Sequence, residues 1–257
     1  MSGRRGRRPP PPVDVTVGAG VATLTLDRAQ TGNRLDDAMM QGLVDAASAV
    51  ADRDDCCAVV LRARGRVFSL GLPPSVGWPP SAWADGVAAI AALPMPVIAA
   101  VRGEARGWGM ALALACDLRI VAGTAVFTLP EAQAGRLAGG GATQRLTRLV
   151  GAARAAEMLL LGRGVTGREA VAWGLASRAL AAGQVEAAAE RAARELARRG
   201  PLALRYAKEA VLRALDLPLA DGIRLEHDLY VLLQTTADRR EGVRAFLERR
   251  PPRFEAR

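Results

Sequence analysis

Two glycines, Gly107 and Gly109, separate a short apolar run from a stretch of small aliphatic residues. The run Val97 to Val101 is typical of a strand buried on both faces, and Met110 to Cys116 is typical of a buried helix. The unpaired N–H groups at the start of such a helix carry a partial positive charge. They can hold a phosphate, a carboxylate or the oxyanion of a polarised carbonyl. The same turn also serves for close packing of the backbone, so the spacing alone leaves both interpretations open.

The cysteines and the single histidine do not form a pattern typical of a metal site. Cys56, Cys57 and Cys116 contain no CxxC pair, and His227 is the only histidine. We therefore predict no bound metal. Unpaired thiols favour a reducing compartment and a cytoplasmic protein.

Composition limits the class of protein. Of the 257 residues, 50% are hydrophobic and 24% are charged, which is typical of a globular protein with one large core. The formal net charge is +9, but four arginines lie in the first eight residues. Aromatic residues make up only 4%, and no basic recognition motif is present, so we expect no nucleic-acid partner. No apolar run reaches membrane-spanning length, and residues 1–12, MSGRRGRRPPPP, predict a disordered tail rather than a secretory signal.

The remaining patterns predict an α/β architecture. Asn33 is predicted to cap a helix over 35–52. A turn at Gly123 and Thr124 is predicted to join two strands, Thr166 and Glu169 form a predicted capping box, and Asp238 with Glu241 is predicted to cap the last helix. The predicted strands are 13–17, 21–26, 58–61, 97–101, 118–122, 125–129 and 175–180, and the other predicted helices are 82–93, 144–150, 152–161, 185–198, 202–215, 220–235 and one ending at 248.

Seven segments resemble the enoyl-CoA hydratase/isomerase, or crotonase, family in their order and spacing. They are VATLTLDR, VFSLGL, PVIAAVRG with GWGMALALACD, LPE, GGGATQRLTRLVG, TGREAVAWGLAS and ADRREGVRAFLERRPPRF. The resemblance implies an α/β fold: a spiral of ββα turns, here residues 13–200, followed by a C-terminal helical subdomain, residues 201–257. Members of the family usually assemble as homotrimers or hexamers through these C-terminal helices.

The resemblance also implies a site for acyl-CoA thioesters. The backbone N–H groups of Leu72 and Trp108 match the oxyanion hole, where they hold the thioester oxygen as negative charge develops. Glu131 matches one of the two glutamates that face the substrate in the hydratases. Ala111 occupies the position of the other glutamate, so that catalytic position is lost. Leu129 and Ala132 are apolar neighbours of Glu131, and we expect desolvation to raise the pKa of its carboxyl.

A single carboxylate favours isomerisation. Moving a double bond requires only proton transfer between two carbons, whereas hydration requires a group that activates water and another that delivers a proton. We therefore predict an enoyl-CoA isomerase that uses Glu131, with no cofactor beyond the coenzyme A of its substrate. The alternatives are a hydratase or dehydratase with an altered second acid/base, and a non-catalytic acyl-CoA-binding protein.

Several charged residues have weaker assignments. Glu104 is a candidate substitute for the missing acid, and Arg106 is a candidate contact for a carboxylated acyl group, although a solvated arginine is the simpler interpretation. His227 is predicted to pack on a helix face. Three arginines match basic positions near the phosphates of coenzyme A in the family: Arg28, Arg249 and Arg250.

Overall fold

The β-branched runs of the sequence form two sheets in the computed structural model, which describes residues 11–74 and 83–257. The six-stranded sheet has the order β1-β2-β3-β4-β6-β9, and the three-stranded sheet has the order β5-β7-β8. The first pair, β1 and β2, is antiparallel, and all other neighbours in the large sheet are parallel. The strands are β1 (Val13–Gly18), β2 (Val21–Leu26), β3 (Ala58–Ala63), β4 (Val97–Val101), β5 (Glu104–Arg106), β6 (Leu118–Ala122), β7 (Val126–Thr128), β8 (Val165–Thr166) and β9 (Arg178–Leu180).

Helices cover the large sheet and make up the C-terminal part of the chain. Every residue of β4 is buried, as expected for a parallel strand covered on both faces. The described helices are α1 (Asp37–Ala51), α2 (Trp83–Ala91), α3 (Trp108–Ala115), α4 (Ala142–Val150), α5 (Ala152–Leu161), α6 (Gly167–Ala172), α7 (Val185–Leu196), α8 (Pro201–Arg213), α9 (Leu219–Gln234) and α10 (Ala237–Leu247).

From β4 to β7, consecutive strands alternate between the two sheets. The chain passes from β4 in the large sheet to β5 in the small sheet and then into α3, and it passes in the same way from β6 to β7. The predicted turn between β6 and β7 is present, with the Ala125 N–H donating to the Ala122 carbonyl at 2.9 Å. It redirects the chain between sheets and does not form a hairpin. The predicted spiral of ββα turns is thereby confirmed.

Two predicted helix caps are wrong. The side chain of Asp36, and not that of Asn33, accepts the Met39 N–H at the start of α1. At the start of α10 the Thr236 hydroxyl accepts the Arg239 N–H, whereas Asp238 was predicted to be the cap. In both places the predicted residue is used for a contact with a distant segment, which local spacing does not reveal.

Asp238 and Glu241 hold the C-terminal segment against α10. The Asp238 carboxylate accepts the N–H groups of Glu255 and Ala256 at 2.7 and 3.0 Å. The Glu241 carboxylate accepts the Arg253 N–H at 2.9 Å and pairs with Arg250. These hydrogen bonds hold the pKa of Glu241 well below its usual range. Both carboxylates therefore anchor the end of the chain.

The other predicted elements are present with shifted ends. The capping box of Thr166 and Glu169 is confirmed. The strand predicted over 175–180 is shorter, because only Arg178–Leu180 pairs with β6. Residues 1–10 of the predicted tail lie outside the described residues. Pro12, the last residue of the predicted tail, is described, and its carbonyl accepts the Asp27 N–H at 2.8 Å. The irregular loop predicted around Trp78, Pro79 and Pro80 also lies outside the described residues.

A buried ion pair joins α8 to the base of β4. Lys208 Nζ lies 2.7 Å from Asp117 Oδ2, and their side chains are only 8% and 19% exposed. Asp117 Oδ2 also accepts the Val97 N–H at 2.7 Å, and Lys208 donates to the Met95 carbonyl at 3.0 Å. The pair thus connects a C-terminal helix with the start of β4.

The Asp117→Asn substitution is expected to destabilise the protein by about 3–5 kcal/mol, because it leaves the buried Lys208 ammonium without its counter-ion. For a chain of this length, 3 kcal/mol corresponds to a decrease in Tm of roughly 6–12 °C. Thermal unfolding followed by circular dichroism measures the shift, and Asp228→Asn, at an exposed position of α9, is the control. A shift as small as that of the control would contradict a stabilising role for the pair.

All three cysteines are free in the structure. Within residues 11–74 and 83–257, no helix has both the length and the apolar character needed to cross a membrane. The division of the chain into a core over 13–200 and a helical subdomain over 201–257 stays a prediction.

Candidate active site

The loop that carries Leu72 is fixed along the edge of β5. The Glu104 carbonyl accepts the N–H groups of Phe68 and Ser69 at 3.0 and 3.1 Å, and the Arg106 N–H donates to the Ser69 carbonyl at 2.9 Å. Gly71 follows with φ of +72°, and a Cβ built on it would lie 2.6 Å from the Arg106 carbonyl oxygen and 3.2 Å from the Trp108 nitrogen. A side chain would separate these backbones, so glycine is what lets this loop approach the start of α3.

Asn33 supports the same loop, and sequence reasoning missed this role by assigning it to a helix cap. It is fully buried at φ of +49°, a conformation that asparagine tolerates better than most residues. Its Nδ2 donates to the carbonyls of Arg64 and Val67 at 2.9 and 3.1 Å. The Ser69 hydroxyl donates to the Asn33 carbonyl at 2.7 Å. Asn33 therefore positions the backbone that leads to Leu72.

The turn before α3 is fixed against β7. Gly107 has φ of +53°, and its N–H donates to the Thr128 carbonyl of β7 at 2.8 Å. Within the described part of the chain, neither the Leu72 N–H nor the Trp108 N–H donates a hydrogen bond. Both donors are thus available to a negatively charged oxygen near the N-terminus of α3, where the helix dipole adds to the attraction.

Glu131 lies directly against this turn. It begins a 3₁₀ turn after β7, and a Cβ built on Gly107 would overlap its Oε1 atom. The residue is only 9% exposed, and its Oε2 atom is buried with no hydrogen-bond partner among the described residues. Burial raises the pKa of the Glu131 carboxyl, and the charges of Arg136 and Arg106 oppose that rise. A desolvated carboxyl with an unpartnered oxygen is suited to accepting and returning a proton.

One cavity of about 420 Å³ brings the candidate groups together. Leu72, Trp108 and Glu131 all line it, whereas Ala111 and Glu104 are not among the described lining residues. Sequence reasoning missed several lining residues, because a turn or loop position carries no periodicity that marks a cavity wall. These are Arg34, Gln133, Arg136 and Leu137.

The indole of Trp108 packs against the glycine-rich loop before α4. A Cβ built on Gly139 would lie 2.6 Å from Trp108 Cζ2, and one built on Gly140 would lie 3.2 Å from Trp108 Cε3 and 2.9 Å from the Cβ of Ala111. Trp108 is 7% exposed and Ala111 is fully buried. The indole and this loop thus separate Ala111 from the cavity, and they occupy the space next to its methyl group.

Comparisons with known proteins identify the family. The family model described as enoyl-CoA hydratase/isomerase matches residues 16–257. The chain belongs to the enoyl-CoA hydratase/isomerase family. It is 37% identical to a probable enoyl-CoA hydratase of Mycobacterium leprae over 92% of this chain and 95% of that protein. It is 36% identical to the 2,3-dehydroadipyl-CoA hydratase of Escherichia coli K12, covering 92% and 96% of the two chains.

Solved structures show that the fold is that of the crotonase family. The crystal structure of an enoyl-CoA hydratase from Bacillus anthracis superposes with a TM-score of 0.91 at 32% identity, and the match covers 96% of this chain and all of that one. The predicted fold class and the predicted family are therefore confirmed. The names of the two relatives and of this structure all describe hydratases.

The arginines assigned to coenzyme A in this enoyl-CoA hydratase/isomerase family member lie outside the described lining of the cavity. Arg28 donates to the Asp27 carbonyl at 2.9 Å, and Arg250 pairs with Glu241 and Glu248 at 2.6 Å each. Arg249 is exposed after α10. Their role in binding coenzyme A stays a prediction.

His227 is exposed on α9, so the prediction that it packs on a helix face is wrong. Because α9 packs only part of its surface, its neighbour Leu229 is buried while His227 faces solvent. The described residues contain no group of three or more His, Cys, Asp or Glu side chains placed to hold a metal ion.

The Glu131→Gln substitution is expected to stabilise the protein above the raised pKa of Glu131. A carboxyl whose native pKa lies above its ordinary value of about 4.5 destabilises the fold when it is ionised. The Tm advantage of the variant is therefore complete above the native pKa and disappears as the pH falls toward 4.5. Thermal unfolding at pH 8 and pH 4.5 tests this, with the exposed Glu209→Gln as control. A Tm difference that does not depend on pH would contradict the raised pKa.

Proposed function

We propose that this protein isomerises an enoyl-CoA by proton transfer through Glu131. The ionised carboxylate removes a proton from the α-carbon of a 3-enoyl thioester, and the electron pair moves onto the thioester oxygen. The Leu72 and Trp108 amides hold the resulting oxyanion. Protonated Glu131 then returns the proton to the γ-carbon, and the double bond becomes conjugated with the thioester. The reaction consumes no second reactant, and coenzyme A takes part only as a portion of the substrate.

The single observation that carries this proposal is the acid/base content of the cavity. Glu131 is the only carboxylate among the described lining residues. Its unpartnered Oε2 and its raised pKa suit a group that alternates between base and acid. The methyl group of Ala111 supplies no second acid or base at the position from which the hydratases of the family use a glutamate.

Hydration is the second candidate reaction, and the names of the relatives favour it. A hydratase requires a group that activates water in addition to Glu131. Gln133 lines the cavity, but an amide is not a base at neutral pH. Hydration by this chain would therefore rely on Glu131 alone, and we expect it to be slower than isomerisation.

Absorbance distinguishes the two reactions. A 3-enoyl-CoA gains the absorbance of the conjugated thioester on isomerisation, and a 2-enoyl-CoA loses it on hydration. We expect a gain with 3-hexenoyl-CoA at a rate that exceeds any loss with 2-hexenoyl-CoA. If the absorbance of 2-hexenoyl-CoA were lost faster than absorbance is gained with 3-hexenoyl-CoA, hydration would be the main reaction.

A non-catalytic acyl-CoA-binding protein is the third candidate, motivated by the same missing glutamate at position 111. Deuterium exchange tests it. A saturated acyl-CoA incubated in deuterated water is expected to acquire label at its α-carbon, measured by mass spectrometry. Binding without exchange over several chain lengths would show that the protein holds its ligand without turnover.

We also propose that the chain assembles into a homotrimer or hexamer through its C-terminal helices. Large apolar side chains are exposed there, including Leu219 on α9 and Phe246 on α10, which are 79% and 81% exposed. Apolar surface of this kind is typical of protein interfaces. Light scattering after size-exclusion chromatography is expected to give three or six times the mass of one chain, and the mass of a single chain would contradict the proposal.

A further inference from the structure

The cavity that contains Glu131 is bordered by more positive than negative charge. Arg34, Arg106 and Arg136 line it, and Glu131 is the only acid among the described lining residues. One guanidinium has a structural use, since Arg34 Nη1 donates to the Leu72 carbonyl at 2.7 Å. Burial raises the pKa of the Glu131 carboxyl, and the positive charges of Arg136 and Arg106 lower it. The reacting end of the cavity therefore attracts anions.

Arg106 is the arginine best placed to bind an anion there. Its backbone is fixed by the bond from its N–H to the Ser69 carbonyl and by pairing with Thr128 in β7. Within the described part of the chain, its guanidinium makes one ion pair, with Glu104 at 3.7 Å, which exceeds hydrogen-bond distance. The side chain is 52% exposed. Its donors are therefore available, two residues before the Trp108 amide.

We propose that the acyl group of the substrate carries a second carboxylate, which Arg106 binds. The proposal rests on the acyl-CoA function proposed above and names the substrate class for that cavity: thioesters formed from one end of a dicarboxylic acid. A planar guanidinium binds a carboxylate through two parallel hydrogen bonds. It also offsets the repulsion between a substrate carboxylate and ionised Glu131.

A phosphate of coenzyme A is the other anion that an arginine could bind in this family. The pantetheine arm separates those phosphates from the thioester, whereas Arg106 immediately precedes Gly107 and Trp108, next to the reacting atoms. The position of Arg106 therefore favours an anion on the acyl side of the thioester.

Matched pairs of saturated ligands test the proposal without turnover. Succinyl-, glutaryl- and adipyl-CoA are compared by calorimetry with butyryl-, valeryl- and hexanoyl-CoA, at one ionic strength because charge attraction is screened by salt. We expect the intact protein to bind at least one diacid thioester more tightly than its neutral partner. Arg106→Gln is expected to weaken the binding of that diacid thioester by about tenfold or more, which is the effect of losing a hydrogen bond to a charged group. Binding of the neutral partner should change by less than about twofold, since it makes no such hydrogen bond.

Arg102→Gln is the matched control, because Arg102 lies on the neighbouring turn, pairs with Glu186 at 2.6 Å and is not among the described lining residues. If Arg106→Gln weakened the binding of the diacid thioester and of its neutral partner equally, Arg106 would be assigned to a coenzyme A phosphate and the proposal would be overturned. So would the absence of any preference for a diacid thioester across the three pairs. A preference for the diacid thioester together with no isomerisation of any 3-enoyl-CoA would contradict the proposed reaction and leave this inference standing.

Discussion

Glu131→Gln is expected to reduce isomerisation of a 3-enoyl-CoA by about 10²–10⁴-fold, the usual contribution of a general acid–base group. Glutamine keeps the shape of the side chain but has no basic oxygen. Binding of a saturated acyl-CoA, measured by calorimetry, should be nearly unchanged because the Leu72 and Trp108 amides are unaffected. Glu209→Gln, at an exposed position of α8, is the control for activity. A variant that keeps more than about half of the parental rate would show that Glu131 is not the base.

The pH profile of the intact protein provides a second measure of the same group. Glu131 must be ionised to remove the first proton, so kcat/KM is expected to fall as the pH is lowered through its native pKa. Because burial raises that pKa, the decline should begin above the ordinary value of about 4.5. A decline centred at or below this value would indicate a solvated carboxyl or a different base.

Combining Ala111→Glu with Trp108→Gly is expected to create hydration of a short 2-enoyl-CoA at least about tenfold above the parent. A second carboxylate can activate water, and a general acid–base group contributes about 10²–10⁴-fold, so a gain of at least about tenfold is expected even when its placement is imperfect. Ala111→Glu alone should produce no gain, because the Trp108 indole and Gly140 occupy the space next to the Ala111 methyl group. Loss of the absorbance of the conjugated thioester measures hydration.

Trp108→Gly alone is the matched control, since it opens the same space without adding an acid. Equal hydration by this single variant and by the double variant would show that position 111 does not supply the missing group. A folded double variant that binds acyl-CoA but hydrates no faster than the parent would contradict the account in which the indole and the absent glutamate together limit hydration.

The family and the order of elements follow from the sequence, because they depend on local signals. The apolar run of β4, the capping box of Thr166 and Glu169, and the glycine-rich turn before α3 each involve residues a few positions apart. Backbone conformation and burial impose such short-range constraints directly on residue type. The same holds for the candidate groups that a motif marks: Leu72, Trp108 and Glu131, which the cavity brings together.

Contacts between distant segments were decided only by the tertiary structure. Asn33 and Asp238 both have the residue type of a helix cap, yet they bind the loop before Leu72 and the C-terminal segment. A side chain that can accept or donate a hydrogen bond does so with whichever partner folding brings near, and its neighbours in sequence do not reveal that partner.

At position 108 of the candidate site, the sequence and the tertiary structure again determined different properties. The sequence marked the backbone N–H of Trp108 as a candidate donor and Ala111 as the position of a missing acid, but it did not determine where the indole packs. The structure places the ring against Gly139 and Gly140, which precede α4 in a different part of the chain. Side-chain direction depends on which space the packed core leaves free, and that space is defined only when all segments are assembled.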